Sequence, residues 1–185
     1  MRANFLVALL LMATGITGIS QSPERRKLTW GDFHGAPNWN GPYEAYTYWS
    51  VHFSYQNPQT GAKGTKFQFR VWCQLEDRSW VKLDDLSAPF QNEMLAHEQG
   101  HYDLGLICAL LFYRAVDTHD FSSDPKAEAT QILADELKKA REMELAYDRE
   151  TRNGMNSTKQ AEWEKLIASK INQLLPVLPK SNNQQ

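Results

Sequence analysis

Two periodicities divide this chain. From Ala45 to Leu75 apolar and polar residues tend to alternate, whereas from Ser87 onward apolar residues recur every third and fourth position. A period of two marks a strand with one dry face, and a period near 3.6 marks a helix with an apolar stripe. The runs Ala45–Tyr55 (AYTYWSVHFSY) and Lys66–Leu75 (KFQFRVWCQL) are rich in aromatic and β-branched residues, as strands are. Asn57-Pro58-Gln59-Thr60-Gly61 supplies turn chemistry between them, which predicts an antiparallel hairpin with a somewhat long loop. In the second run Phe67, Phe69, Val71 and Cys73 share one face, and Gln68, Arg70, Trp72 and Gln74 the other. The first face is expected to meet the core and the second to meet mostly water.

Three helices are expected after the change of period. Ser87 as N-cap, with Pro89 in the first turn, opens a helix to about Ala115 with Leu95, Leu104, Ile107, Leu110 and Leu111 on its apolar side. Ser123 or Asp124 caps a second, from about Lys126 to near Asp148, which Asn153-Gly154 terminates. A third, about Ser157 to Leu175, carries Trp163, Ile167, Ile171 and Leu174 at helical spacing. Strands first and helices afterwards predict an α+β domain.

The N-terminus has a different character. Arg2 precedes a compact apolar run, Phe5–Ala13, and Gly18-Ile19-Ser20 places small residues at the −3 and −1 positions before Gln21. This is the pattern of a cleavable export signal over residues 1–20, too short for a stable membrane span. A single domain over residues 21–179 and a polar tail over 180–185 complete the expected organisation, with a periplasmic or extracellular location. The formal net charge is −2 and the basic residues are dispersed, which argues against a nucleic-acid partner. Cys73 and Cys108 have no ligand companions at finger-like spacing; in an oxidising compartment they either pair or remain buried thiols.

The chemistry concentrates in His97-Glu98-Gln99-Gly100-His101, which reads His-Glu-x-x-His. On a helix the two imidazoles leave one face a turn apart, where they can share a zinc ion at about 2.0–2.1 Å each. Glu98 can then reach water beside the metal and act as general base towards a scissile carbonyl. Asp103 is a candidate for orienting an imidazole, with a plain exposed charge as the alternative. Tyr102 and Tyr147 are candidate oxyanion donors, with core packing as the alternative. His34, His52 and His119 stand alone and read as surface or capping residues.

Ordered blocks around the motif carry a resemblance. They are Leu28-Thr29-Trp30-Gly31-Asp32-Phe33 with Gly35 and Pro37, Ser79-Trp80-Val81, Leu95 through Asp103, Tyr147-Asp148-Arg149-Glu150-Thr151, Asn153-Gly154, Gln160 and Trp163. In these the chain resembles the bacterial, predicted secreted zinc-dependent proteases catalogued as domain of unknown function 922. The resemblance implies a zincin-like fold, a Zn2+ cofactor, a peptide or protein substrate and metallopeptidase activity. Members often show His-Gly where this chain has Asn153-Gly154, and asparagine is a poor zinc ligand. Catalytic zinc needs three protein ligands and an open position. Asp148 is the favoured third ligand, with Glu150 as the alternative and Glu142 or Glu144 upstream. The resulting expectation is a secreted or periplasmic zinc endopeptidase with Glu98 as base; the alternative is a non-catalytic metal-binding or protein-binding domain derived from one.

Overall fold

The computed structural model describes residues 23–61, 64–85, 87–122 and 124–175. The expected export signal (1–20) and polar tail (180–185) lie outside the described residues, as does Ser123. The elements are β1 (Ala45–Tyr46), β2 (Trp49–Gly61), β3 (Gly64–Leu75), β4 (Trp80–Val81), α1 (Ala88–Thr118), α2 (Pro125–Thr151) and α3 (Ser157–Leu174). The architecture is α+β, with two small antiparallel sheets and three helices. Among the described residues no helix is long and apolar enough to cross a membrane.

The hairpin forms as β2 against β3, with Phe53 opposite Val71 and Trp49 opposite Leu75. Its two faces follow the alternation: Val51, Phe53, Phe69 and Val71 are buried, while Arg70 and Gln74 are exposed. Two details differ from expectation. The first strand run splits, because Ala45–Tyr46 pairs with Trp80–Val81 whereas Trp49 onward pairs with β3. Ser79 holds the crossing point, accepting from the Tyr48 backbone N–H at 3.0 Å and donating to the Tyr48 carbonyl at 3.2 Å. The expected turn at Asn57–Gly61 is instead strand, pairing out to Gly61–Gly64 with a register shift between Gln56 and Gln59. Pro58 has no backbone N–H to give the ladder, so a bulge is the form in which a strand accommodates it.

Helix α1 is the hub. It packs against the hairpin, α2, α3 and β1, and every residue from Tyr102 to Leu110 is buried. One core joins the dry hairpin face to Cys108, Phe112 and Val116 of α1 and Ala129, Leu133 and Ala140 of α2. A second joins Leu104, Ile107 and Leu110 to Tyr147 of α2 and Ile167, Ile171 and Leu174 of α3. Each large apolar side chain so buried contributes about 1.5–3 kcal/mol of transfer free energy. The helix boundaries have local causes. Pro89 sits in the first turn of α1, the Asp124 carboxylate accepts the Ala127 N–H at 3.0 Å, and the Asn156 side chain accepts the Lys159 N–H at 3.2 Å. Ser87 occupies the N-cap of α1 without a side-chain capping bond. Cys73 and Cys108 are free thiols at the hairpin–α1 contact, and burial pushes the Cys108 thiol up to about 12.

At Gly105 the α1 backbone meets the Trp49 indole so closely that an added Cβ would lie 2.5 Å from the ring. Alanine improves helix propensity by about 1 kcal/mol, but overpacking a filled core costs about 1–3 kcal/mol. Trp49 is buried and its indole is hydrogen-bonded, so it cannot swing clear. Gly105→Ala is therefore expected to destabilise the fold by up to about 2 kcal/mol. In urea unfolding the midpoint should fall with an unchanged slope; an equal or higher midpoint would contradict this packing account.

Candidate functional site

His97 and His101 lie in the central part of α1, on the side facing the last turns of α2. One ligand atom from each of His97, His101 and Asp148 falls within 4.8 Å of the others, a grouping that could hold a metal ion. Asp148 Oδ1 is 2.9 Å from His101 Nε2 and 3.5 Å from His97 Nε2. It nevertheless accepts no well-directed hydrogen bond. Three ligand atoms gathered this closely, with the carboxylate oxygen left unpartnered, fit a cation.

The other ring nitrogens are engaged from behind. His97 Nδ1 lies 3.2 Å from the Gln160 side-chain oxygen, and His101 Nδ1 lies 3.4 Å from Glu144 Oε1. Glu144 is itself fixed by the Trp49 indole N–H at 2.7 Å. Around His97 the donors and acceptors close a ring. The Gln160 amide donates to the Tyr147 hydroxyl at 2.9 Å, and that hydroxyl donates to the His97 carbonyl at 3.0 Å. Its single proton is then used, so the Gln160 oxygen is left to accept from His97 Nδ1. The tautomer that results leaves the lone pair on Nε2, the atom that faces Asp148.

Tyr147 is wholly buried and stacks on His97 with ring centroids 4.8 Å apart. It packs directly onto Gly100, where an added Cβ would lie 2.6 Å from the phenol Cζ. It supports the histidines from behind and does not line the cleft, so it is not placed to meet an oxyanion. Tyr102 is likewise in the core, its hydroxyl 3.4 Å from the Cys73 carbonyl. The phenols on the cleft wall belong to Tyr43, Tyr46 and Tyr48; burial and the neighbouring Tyr48, Glu144 and Asp148 push that of Tyr46 up to about 12. Tyr46 lies in a run that reads simply as a strand, so nothing in its spacing singles it out.

The remaining candidates separate clearly. Asp103 is buried, but it receives Arg25 at 2.6 Å and the Gln99 amide at 2.9 Å, anchoring the lead-in segment instead of an imidazole. Glu150 is exposed and accepts the Trp163 indole N–H at 3.0 Å, outside the histidine grouping. Glu144 meets the back of His101, and Glu142 is exposed. His34, His52 and His119 stand apart: His34 is 3.9 Å from Asp77, His52 stacks on Trp72, and His119 is 2.8 Å from Glu128. Glu98 is 4% exposed, and its Oε2 has no hydrogen-bond partner. Leaving a buried carboxylate oxygen unpartnered costs more than the 1–3 kcal/mol of a neutral group.

A cleft of about 870 Å³ opens in front of the histidines. One wall is the continuous segment Pro42–Trp49; the other is a face of α2 with Asp148 on it. The turn after α2 forms its lip, where Arg152 and Asn153 both have φ of 52° and Gly154 has φ of 82°. A left-handed backbone costs a non-glycine residue about 1–2 kcal/mol. Gly154 lies against the His97 side chain, with room for no comfortable Cβ (3.1 Å), so the turn is pressed onto the site.

Burial opposes charge on His101, but Asp148 and Glu144 beside its two ring nitrogens outweigh it and raise its pKa well above the ordinary value. Burial alone raises the pKa of Asp148; the two imidazoles outweigh it and hold the carboxyl well below the usual range. With no cation bound, the His101 contribution to stability is present below about pH 6.5 and lost as pH rises through the raised folded value. The Asp148 contribution is present above about pH 4 and lost as pH falls through the depressed one. A cation must displace the imidazole proton, so zinc is expected to raise the Tm more at pH 8 than at pH 5. An equal or larger rise at pH 5 would count against these ligands. Glu144→Gln and Gln160→Ala should each weaken zinc binding about 10–100-fold in chelator competition. Unchanged affinity in both would remove them from the site.

The family model described as bacterial protein of unknown function (DUF922) matches residues 25–154, from the lead-in segment through the hairpin, α1, α2 and the turn at Gly154. No curated protein and no solved structure matches the chain. The histidine pair, Glu98 and Asp148 all fall inside the matched segment and Gln160 outside it; the chain belongs to this family of bacterial proteins of unknown function.

Proposed function

We propose that the chain is an exported, zincin-like zinc-dependent endopeptidase. The observation that carries the reading is the buried, unpartnered Oε2 of Glu98 beside the convergent His97, His101 and Asp148. Zinc, when held by those three residues, supplies Lewis-acid polarisation of a scissile carbonyl and lowers the pKa of water. Glu98 takes a proton from the attacking water at Oε2 and delivers it to the departing amine nitrogen. The Tyr46 phenol, kept protonated by its surroundings, is one hydrogen-bond donor on the cleft wall for charge developing on the carbonyl oxygen. Strand β1 (Ala45–Tyr46), on the cleft wall, offers a short extended stretch along which a peptide can lie, as in recognition by strand addition. Export rests on the residue pattern of positions 1–20.

Glu98→Gln keeps the shape and hydrogen-bonding capacity of the side chain but cannot accept the proton. It is expected to retain about one zinc per chain while hydrolysis of a mixed peptide library falls by about 10²–10⁴-fold. His97→Ala should lose the metal itself. Zinc binding without cleavage of any peptide by the unaltered chain would favour a non-catalytic metal-binding domain instead.

A further inference from the structure

The face of α2 and its C-cap that lines the cleft reads Arg141, Glu144, Leu145, Asp148 and Arg152. The spacings of three, one, three and four residues place them on one helical stripe. Of the charges on that stripe, the carboxylates are engaged: Glu144 with the Trp49 indole and His101, Asp148 with both imidazoles. Across the cleft Glu44 lies 3.9 Å from Lys82, and the Arg78 guanidinium stands over the Tyr48 ring at 4.2 Å. Arg141 and Arg152 are different. Both are exposed on the cleft, and among the described residues neither side chain has a hydrogen bond or ion pair. The formal net charge of the chain is −2, so a pair of unengaged cations here is a local feature.

A second, independent observation concerns Arg152. Its backbone is left-handed, with φ of 52°, where glycine would sit without strain. A strained residue kept at the lip of a cleft points to a use for its side chain. The apolar side chains beside the two arginines, Leu145 (59% exposed) and Met155 (69%), also face the cleft.

We infer that Arg141 and Arg152 select acidic peptide segments, each guanidinium receiving a carboxylate on one side of the scissile bond. The inference rests on the peptidase reading above and names its substrate class. Along the helix axis Arg141 lies about 10 Å before Asp148, and Arg152 about 6 Å after it. An extended peptide advances about 3.3 Å per residue. The acidic side chains are therefore expected about three residues to one side of the bond near Asp148 and about two to the other, with apolar side chains against Leu145 and Met155.

The test uses the zinc-loaded chain and a matched set of peptides that differ only in carrying Glu, Gln or Lys at those two positions. The Glu peptide should be cleaved with at least tenfold higher kcat/KM than the Lys peptide, the difference residing in KM and shrinking in 0.5 M salt, about a 4 Å screening length. Arg141→Gln with Arg152→Gly should erase the preference, and Arg141→Glu with Arg152→Glu should invert it. Arg152→Gly relieves the left-handed backbone, so loss of preference there cannot be assigned to a misfolded turn. Binding of the same fluorescein-labelled peptides to the Glu98→Gln protein, followed by anisotropy, reads the selection without turnover. Equal kcat/KM for the three peptides, equal binding, or a preference that survives the double variant would overturn the inference and leave the peptidase reading standing. Selective binding without any cleavage by the unaltered chain would overturn the peptidase reading and leave the acidic selection standing.

Discussion

The close approach of α2 to α1 at Gly100 governs everything around the histidines. With no Cβ on Gly100, the Tyr147 phenol can lie on the α1 backbone and donate to the His97 carbonyl. That seat fixes both the height and the rotation of the last turns of α2. Asp148 is the next residue, so once Tyr147 is buried behind the imidazoles, Asp148 emerges on the cleft side between their Nε2 atoms. The packing contact and the ligand geometry are thus one constraint expressed by adjacent residues. A larger residue at position 100 would separate the helices, and the acid would move away from both rings together.

The same crossing explains why polar groups persist in a hub helix. The middle of α1, from His97 onward, is largely buried, so its polar side chains survive only with partners. Asp103 has Arg25 and Gln99, and His97 has the Gln160–Tyr147 ring. Glu98 is the exception, with one carboxylate oxygen unpartnered. Asp148 Oδ1 is left in the same way, and both residues line the cleft in front of the histidines. Loss of stability at Glu98 and at the strained Arg152–Asn153 turn falls on the two sides of one cleft.

Much of this was legible from residue order, and for unequal reasons. Helix existence and the dry hairpin face follow from periodicity, which local packing obeys. The strand boundaries do not, because the switch of partner at Thr47–Tyr48 depends on Ser79, some thirty residues away. The histidine pair could be read because both residues lie on one helix at fixed spacing. Asp148 was one of several acids near the end of α2, and only the rotation set by Tyr147 separates it from Glu144 and Glu150. Asp103 misleads for the complementary reason: two residues from His101 in sequence, it lies on another side of the helix and answers to the lead-in segment. Tyr46 and Gln160 could not be assigned by spacing at all, since each reaches the site through a different element.

Gln160 shows how far the site extends beyond its motif. It sits on α3, after the family-matched segment ends, and α3 is held to α1 by Ile167, Ile171 and Leu174. An imidazole can offer either nitrogen, and the choice belongs to whatever engages the other one. For His97 that partner is a neutral amide; for His101 it is a carboxylate locked by the Trp49 indole. The amide fixes the tautomer without adding charge, while the carboxylate also makes its ring a more basic donor. Both turn Nε2 towards Asp148, so the convergence depends on three helices and the start of a strand. The His-Glu-x-x-His spacing supplies two rings on one face. The second core, by seating α3, decides which atom of His97 that ring presents.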